Sequence, residues 1–389
     1  MNRWRSQHFK KYAKKLGSDQ KIIDNAVKIG ANIQSISPNA EPIFSLKHLS
    51  HATDIDYRML REIVERKVPE RYRTFRIKKR SNKGVSKDRY RIICVPDPGL
   101  MALQRWINDN ILAAGKVHES SVAFRAKSNI VDAAKLHCGC GWLIKLDIVN
   151  FFESITEQMV YQVFASMGYQ PLVAFELARV CTRKGQKSPA RNRLFKRWRT
   201  RYYHYSGIPS YASSDILGHL PQGAPTSPLL ANLVMHEFDR EMYDVAETYG
   251  LTFTRYADDL TFSRHEGGFS RKMAENAVSA FYQIIRRYNF SPNYTKTNIV
   301  PPGARKMVLG LLVDGQEPRL SKEFRNKLRM HLHHIGPNGR GVVKHAEENC
   351  FKSIYGLKNH IGGLISYANQ VDNQFAKSAW DKFNRVSWP

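Results

Sequence analysis

The segment LTFTRYADDLTFS, Leu251 to Ser263, alternates apolar and polar residues on either side of a short break, the pattern of two β-strands folded back as a hairpin. The break reads as a four-residue turn that carries two adjacent carboxylates, Asp258 and Asp259. Neighbouring anions repel, so the arrangement costs free energy unless a cation sits between or above them. Taken alone, such a turn is a solvated tip, because Asp bonds its own backbone there. A second segment argues otherwise. In WLIKLDIVNFF, Trp142 to Phe152, Asp147 is the only acid of an apolar strand, and a carboxylate ending a buried strand needs a partner. If the two strands are neighbours in one sheet, Asp147 and Asp258 converge as an oxygen-rich pocket for hard divalent cations. Mg²⁺ held by one or two carboxylates and substrate phosphates is what chemistry on nucleotides requires.

Charge points the same way. Sixty-one Lys and Arg against 34 Asp and Glu give a net charge of +27 and a pI near 9.9, which favours a polyanionic partner, most simply nucleic acid. The excess is concentrated. From Cys181 to Ser214 there is no acid, yet the stretch holds Arg183, Lys184, Lys187, Arg191, Arg193, Lys196, Arg197, Arg199 and Arg201. Trp198, Tyr202, Tyr203 and Tyr205 are interleaved with them. Cations for phosphates and aromatic faces for bases are what single-stranded nucleic acid requires.

The 389 residues, 42% of them apolar, suffice for two or three subdomains with a large core. No apolar run is long enough to cross a bilayer, and the basic start MNRWRSQHFKKYAKKLG lacks the apolar stretch of a secretory signal. Five scattered cysteines, Cys94, Cys138, Cys140, Cys181 and Cys350, form no disulfide framework and fit a reducing cytosol. HCGC, His137 to Cys140, offers half of a zinc site without a second pair, so a buried small-residue turn is expected instead.

Residues 1–65 read as mainly helical. RTFRIKK and RYRIICVP alternate like paired antiparallel strands, and LMALQRWINDNIL has helical spacing. LPQGAPTSPLLANLVMHEFDREM looks like a tight turn running into a helix. From about Pro318 the chain is helical and basic.

Across roughly residues 70–375 these segments, in this order, resemble a reverse transcriptase of the bacterial retron type. RYRIICVP and LQRWINDNIL resemble its fingers motifs, SSVAFRAKSNIVDAAKLH a segment usually reading GF…S…NAxxH, and KLDIVNFFESI its first palm motif. LPQGAPTSPLLANL and YADD resemble the second and third, KTNIV and VLGLLVDG the next two, and GLISYANQVD a piece of the thumb. YADD alone is weak; the ordered set is specific.

The resemblance implies an α+β, right-hand polymerase: an N-terminal helical extension (1–65), fingers and palm (66–312) with an antiparallel sheet carrying the YADD hairpin, and a helical RNA-binding thumb (313–389). A basic insertion interrupts the palm at about 181–215. Asp147, Asp258 and Asp259, with the Ile148 carbonyl, are the implied ligands of two Mg²⁺ ions, for which Mn²⁺ is an acceptable substitute. Lys296 is the implied proton donor to pyrophosphate. Arg91, with Lys87 and Arg89 as alternates, grips the triphosphate, a task that suits a planar guanidinium. Phe152 matches the aromatic gate against a ribose 2′-hydroxyl, Gln222 and Gly223 lie beneath the incoming nucleotide, and Tyr256 completes the pocket. Phe324, Leu328, Leu332 and Ile335 form one helical stripe, leaving Arg325 and Arg329 for a duplex backbone. Together with Arg183, Lys184, Arg191, Arg193, Arg197 and Arg199, they are the expected nucleic-acid contacts.

The implied activity is copying part of a cognate structured noncoding RNA into single-stranded DNA, starting from a 2′-hydroxyl of that RNA. The implied setting is the bacterial cytoplasm, in anti-phage defence beside an effector protein, with no membrane partner. Two motifs depart from the retron pattern: NAxxH appears as AAKLH and VTG as VLG. Other defence-associated reverse transcriptases therefore remain alternatives. Group II intron enzymes fit less well, because neither a maturase nor an endonuclease extension is read here, and no RNase H domain is read either. Two further readings stay open: a ribonucleoprotein scaffold that restrains a toxic effector, and an RNA-dependent RNA polymerase.

Overall fold

The computed structural model describes residues 4–66, 70–78, 90–125, 128–184 and 217–389. Among them nine strands appear: β1 (Tyr72–Lys78), β2 (Tyr90–Pro96), β3 (Trp142–Asp147), β4 (Thr252–Tyr256), β5 (Asp259–Arg264), β6 (Asn298–Val300), β7 (Met307–Val308), β8 (Leu311–Leu312) and β9 (Arg319–Leu320). β1 and β2 form an antiparallel ribbon, and β7–β8–β9 a small second sheet. The central sheet runs β4–β5–β3–β6 with every neighbour antiparallel.

Alternation decides what each face of that sheet does. Ile144, Leu146, Leu260, Phe262 and Phe253 are all buried and share one core. The helix Arg271–Arg287 covers this face with Ala274, Ala277, Val278, Phe281, Ile284 and Ile285, a helical stripe of buried residues. Phe262 is clamped between Phe253, with ring centroids 4.8 Å apart, and Phe281, at 4.0 Å and nearly parallel. The opposite face carries Asp147, Lys145, Asp259, Thr261 and Tyr256, register partners across β3, β5 and β4.

The structure has the expected class: helices combined with antiparallel sheet, the YADD hairpin inside the sheet, and helices at both ends of the chain. N-terminal helices span Ser6–Lys15, Gln20–Ile36, Leu46–Thr53 and Tyr57–Glu65, and Ile33, Leu49 and Leu60 enter the same core as the sheet. The C-terminal helices Lys322–Ile335, Val342–Glu348, Ile354–Asn369 and Asn373–Asn384 share a second core with the small sheet. Leu143 and Val300 belong to that second core, so β3 sends alternate side chains into both. Leu328, Leu332 and Ile335 are buried on the expected stripe, with Phe324 packed beside them.

One sequence expectation is off by a residue. Tyr256 pairs with Asp259, so the turn consists of Ala257 and Asp258 alone, and Asp259 begins the return strand. The shift matters because it places Asp259 directly opposite Asp147.

Truncating Phe262 to Ala removes the ring clamped between two others. We expect it to cost about 3–5 kcal/mol, read from urea denaturation, with the loss carried by the midpoint rather than the slope.

Candidate active site

β3 ends in Asp147 because five residues of mostly apolar strand lead to it, and its neighbours hold it in place. Asp147 is 4% exposed. Its Oδ1 accepts from the Asn293 amide at 2.8 Å and its Oδ2 from Lys296 Nζ at 2.5 Å. The Asn293 backbone N–H also donates to the Asp147 carbonyl. Ile148 donates its N–H to the Asp258 carbonyl at 3.0 Å, which ties the turn to the end of β3. The structure thus brings Lys296, expected as a proton donor, onto Asp147, whereas Asn293 was missed. It sits in SPNYTKT without periodic context, and its proximity to the Lys was the only signal available.

Asp258 and Asp259 are only partly exposed, and both carboxyls sit above the ordinary aspartate value. Burial is the main cause for each. Asp258 is raised further by the charges of Asp259 and Asp147, and Asp259 by Asp147. Lys145, Lys296 and Arg91 pull Asp259 the other way, so Arg91 on the ribbon is electrostatically within reach of the site. Lys145 is a cation on the same face that the sequence did not single out.

Among the described residues, no three His, Cys, Asp or Glu side chains stand close enough together to hold an ion as they are. The donor chemistry nevertheless fits one. The strand register brings three aspartates to one sheet end, burial and neighbouring charge raise the proton affinity of two of them, and the Lys296 ammonium already fills a cation's role at Asp147.

A buried polar network fixes the hairpin. Arg255 and Asp239 are both fully buried and joined at 2.6 Å. Arg255 also donates to the Ala257 carbonyl at 3.2 Å and to Ser121 Oγ at 3.0 Å. Asn232, from the LPQGAPTSPLLANL segment, accepts from Ser121 and donates to the Ala123 carbonyl. Ala257 has φ 55°, a left-handed conformation that costs a non-Gly residue about 1–2 kcal/mol, and the Arg255 contact helps hold it there. Gly223, at φ 111°, lies against the ribbon: a Cβ there would meet Ile93 at 2.9 Å and the Cys94 carbonyl at 3.1 Å. The Cys94 N–H donates to the Gln222 carbonyl at 2.7 Å, so the PQG turn is pinned to β2. Phe152 is half-buried against Phe151.

Several expected nucleic-acid contacts are placed differently. Arg183 is buried, bonded to Glu70 at 2.5 Å and to Cys94 Sγ at 2.8 Å, which makes it a structural ion pair rather than a phosphate ligand. Lys184 donates its Nζ to the Arg66 carbonyl at 2.8 Å. Arg325 pairs with Asp372 at 2.7 Å, while Arg329 is exposed over the Phe375 ring. Lys87, Arg89, Arg191, Arg193, Arg197 and Arg199 lie outside the described residues. His137 is a satisfied core residue: its two ring nitrogens bond Ser263 and Thr254, each at 2.7 Å, and burial holds its pKa down at about 3.

Two expectations follow. A carboxyl whose folded pKa is raised binds its proton more tightly in the folded chain. Its contribution is therefore full below the ordinary aspartate range and is lost as pH rises through the raised folded value. Asp259→Asn cannot ionise. In chelator it should unfold at higher urea than the wild type at neutral pH, with the gap closing towards about pH 4. Arg255→Met strands the Asp239 carboxylate and should cost about 3–5 kcal/mol in the same assay, whereas adding Asp239→Leu should recover most of it.

The model of the family "Reverse transcriptase (RNA-dependent DNA polymerase)" matches residues 77–311. Retron Ec86 reverse transcriptase from Escherichia coli is 29% identical over 339 residues, covering 87% of this chain and 92% of that protein. Retron Mx65 reverse transcriptase from Myxococcus xanthus is 29% identical over 313 residues, covering 79% of this chain and 62% of its own length. Retron Ec83 reverse transcriptase from Escherichia coli, also 29% identical, covers 76% of this chain and 83% of that protein. A structure of telomerase from Candida albicans with a fragment of telomeric RNA covers 81% of this chain and 56% of that one at 11% identity. Its TM-score of 0.40 is too low to bear on the argument. The matched span contains the Asp147 strand, the PQG turn and the YADD hairpin, and the chain belongs to the reverse transcriptase family of RNA-dependent DNA polymerases, with retron enzymes as its relatives.

Proposed function

We propose that this reverse transcriptase copies part of a cognate structured noncoding RNA into single-stranded DNA, by phosphoryl transfer at the Asp147–Asp258–Asp259 site. The observation that carries the reading is the register of β3 and β5, which sets Asp147 opposite Asp259 with Asp258 in the adjoining turn. Asp147, Asp258, Asp259 and the Ile148 carbonyl would hold two Mg²⁺ ions. When bound, these make the primer hydroxyl easier to deprotonate and neutralise charge on the triphosphate.

The chain's own groups do the positioning. Arg91 receives the triphosphate, and Gln222 and Gly223 form a floor whose backbone is fixed to β2. Phe152 closes the space where a 2′-hydroxyl would stand. Lys296, whose side chain is 56% exposed, offers a proton to departing pyrophosphate from the same mouth of the site. Template and product are held through the basic surface, Arg329 included. The setting we propose is the bacterial cytoplasm, in anti-phage defence, where the RNA–DNA product and the protein together act on an effector. Among the described residues no helix is long and apolar enough to cross a membrane.

The test is Asp258→Asn, assayed for nucleotide incorporation on the RNA that copurifies with the protein. DNA synthesis should fall by about three orders of magnitude while RNA binding is unchanged. Chelation should stop the wild type, and added Mg²⁺ should restore it. Residual synthesis above about a tenth of wild type in Asp258→Asn would remove the carboxylate site from the mechanism.

A further inference from the structure

Phe124 is an aromatic residue in an unusual place. It is 42% exposed and has φ 58°, a left-handed backbone that a bulky side chain rarely adopts. Such strain persists only where the surroundings impose it, and it gathers at functional sites. The surroundings here do impose it. The Ala123 carbonyl accepts from Asn232 at 2.8 Å, and the Val122 N–H donates to the Arg255 carbonyl at 2.9 Å. Arg125 reaches back to the Glu119 carbonyl at 3.1 Å. The segment bearing Phe124 is therefore fixed to the two motifs that build the site, the hairpin and the PQG helix.

The ring has a particular pair of neighbours. Its centroid lies 6.3 Å from that of Phe152 and 6.1 Å from that of Tyr256, tilted 49° and 43° to them. Phe152 in turn rests on Phe151 at 5.4 Å. The Phe152 ring thus has two aromatic neighbours, Phe151 and Phe124. A gate excludes a hydroxyl only as well as it resists being pushed aside. A half-buried Phe with one side unsupported would rotate into a neighbouring rotamer at small cost.

We infer that Phe124 is a positioning residue for sugar selection: its ring braces Phe152 against displacement by a ribose 2′-hydroxyl and so contributes to the choice of deoxynucleotides. The inference rests on the reading of Phe152 as the gate. It assigns Phe124 no contact with the reacting atoms. It also accounts for an exposed apolar ring held in a strained conformation that a surface loop would not otherwise retain.

The experiment compares incorporation of dCTP and CTP opposite template guanosine by the purified protein and its variants. Phe124→Gly removes the ring and suits the left-handed backbone, so the variant should fold as well as the wild type, which thermal unfolding checks. The ratio of kcat/KM for CTP to that for dCTP should rise by about tenfold, mostly through CTP, with dCTP use little changed. Phe124→Tyr keeps the ring and should keep the wild-type ratio. If Phe124→Gly lowers both substrates equally or leaves the ratio alone, the brace is wrong. Should Phe152→Ala still relax the ratio in that case, the gate itself stands. No relaxation in either variant strikes both readings. Relaxation in Phe124→Gly without relaxation in Phe152→Ala also overturns the brace, because the effect would not run through the gate.

Discussion

Everything in the site follows from one cross-strand pair, Asp147 facing Asp259 at the ends of β3 and β5. Like charges directly opposite each other oppose sheet formation, and here the apolar rows behind them override that repulsion. Ile144, Leu146, Leu260 and Phe262 bury completely on the other face and fix the register. The sheet therefore delivers acids to a point where a cation relieves their repulsion. In the chain itself the cations are Lys145, Lys296 and Arg91, each from a different strand or turn.

Support for the acids comes from distant parts of the chain. Asn293 and Lys296 reach Asp147 from a segment about 150 residues further on. Arg255 connects the turn to Asp239, Ser121 and through it Asn232, so the hairpin, the PQG helix and the Phe124 segment form one bonded unit. A second buried cluster does similar work ahead of the PQG turn. Glu157, fully buried, meets Arg66 at 2.6 Å and Arg179 at 2.7 Å and accepts from the Gly218 N–H, which sets the approach to the PQG turn.

Much of this was legible in the sequence, and the reasons are local. An acid at the end of an apolar strand and two more inside an alternating pattern are visible without coordinates, as is the helical stripe of Leu328, Leu332 and Ile335. The one-residue error in the turn has a physical cause: Ala257 takes a conformation that Gly or Asn usually marks, so no turn residue announced it. Arg255 was not singled out in the sequence, and its burial depends on Asp239, sixteen residues earlier on a helix. Arg183 belonged to a basic run and looked like a phosphate ligand, but Glu70, 113 positions away, takes its guanidinium. Partners so remote leave no periodic trace.

β3 has a wider consequence. Because Leu143 belongs to the core that the C-terminal helices share, while Ile144 and Leu146 belong to the other, the strand that presents Asp147 is common property of two hydrophobic interiors. The C-terminal helices are thus not an interchangeable cassette. Exchanging them for the helices of a relative would also require a residue at position 143 that fits the new interior.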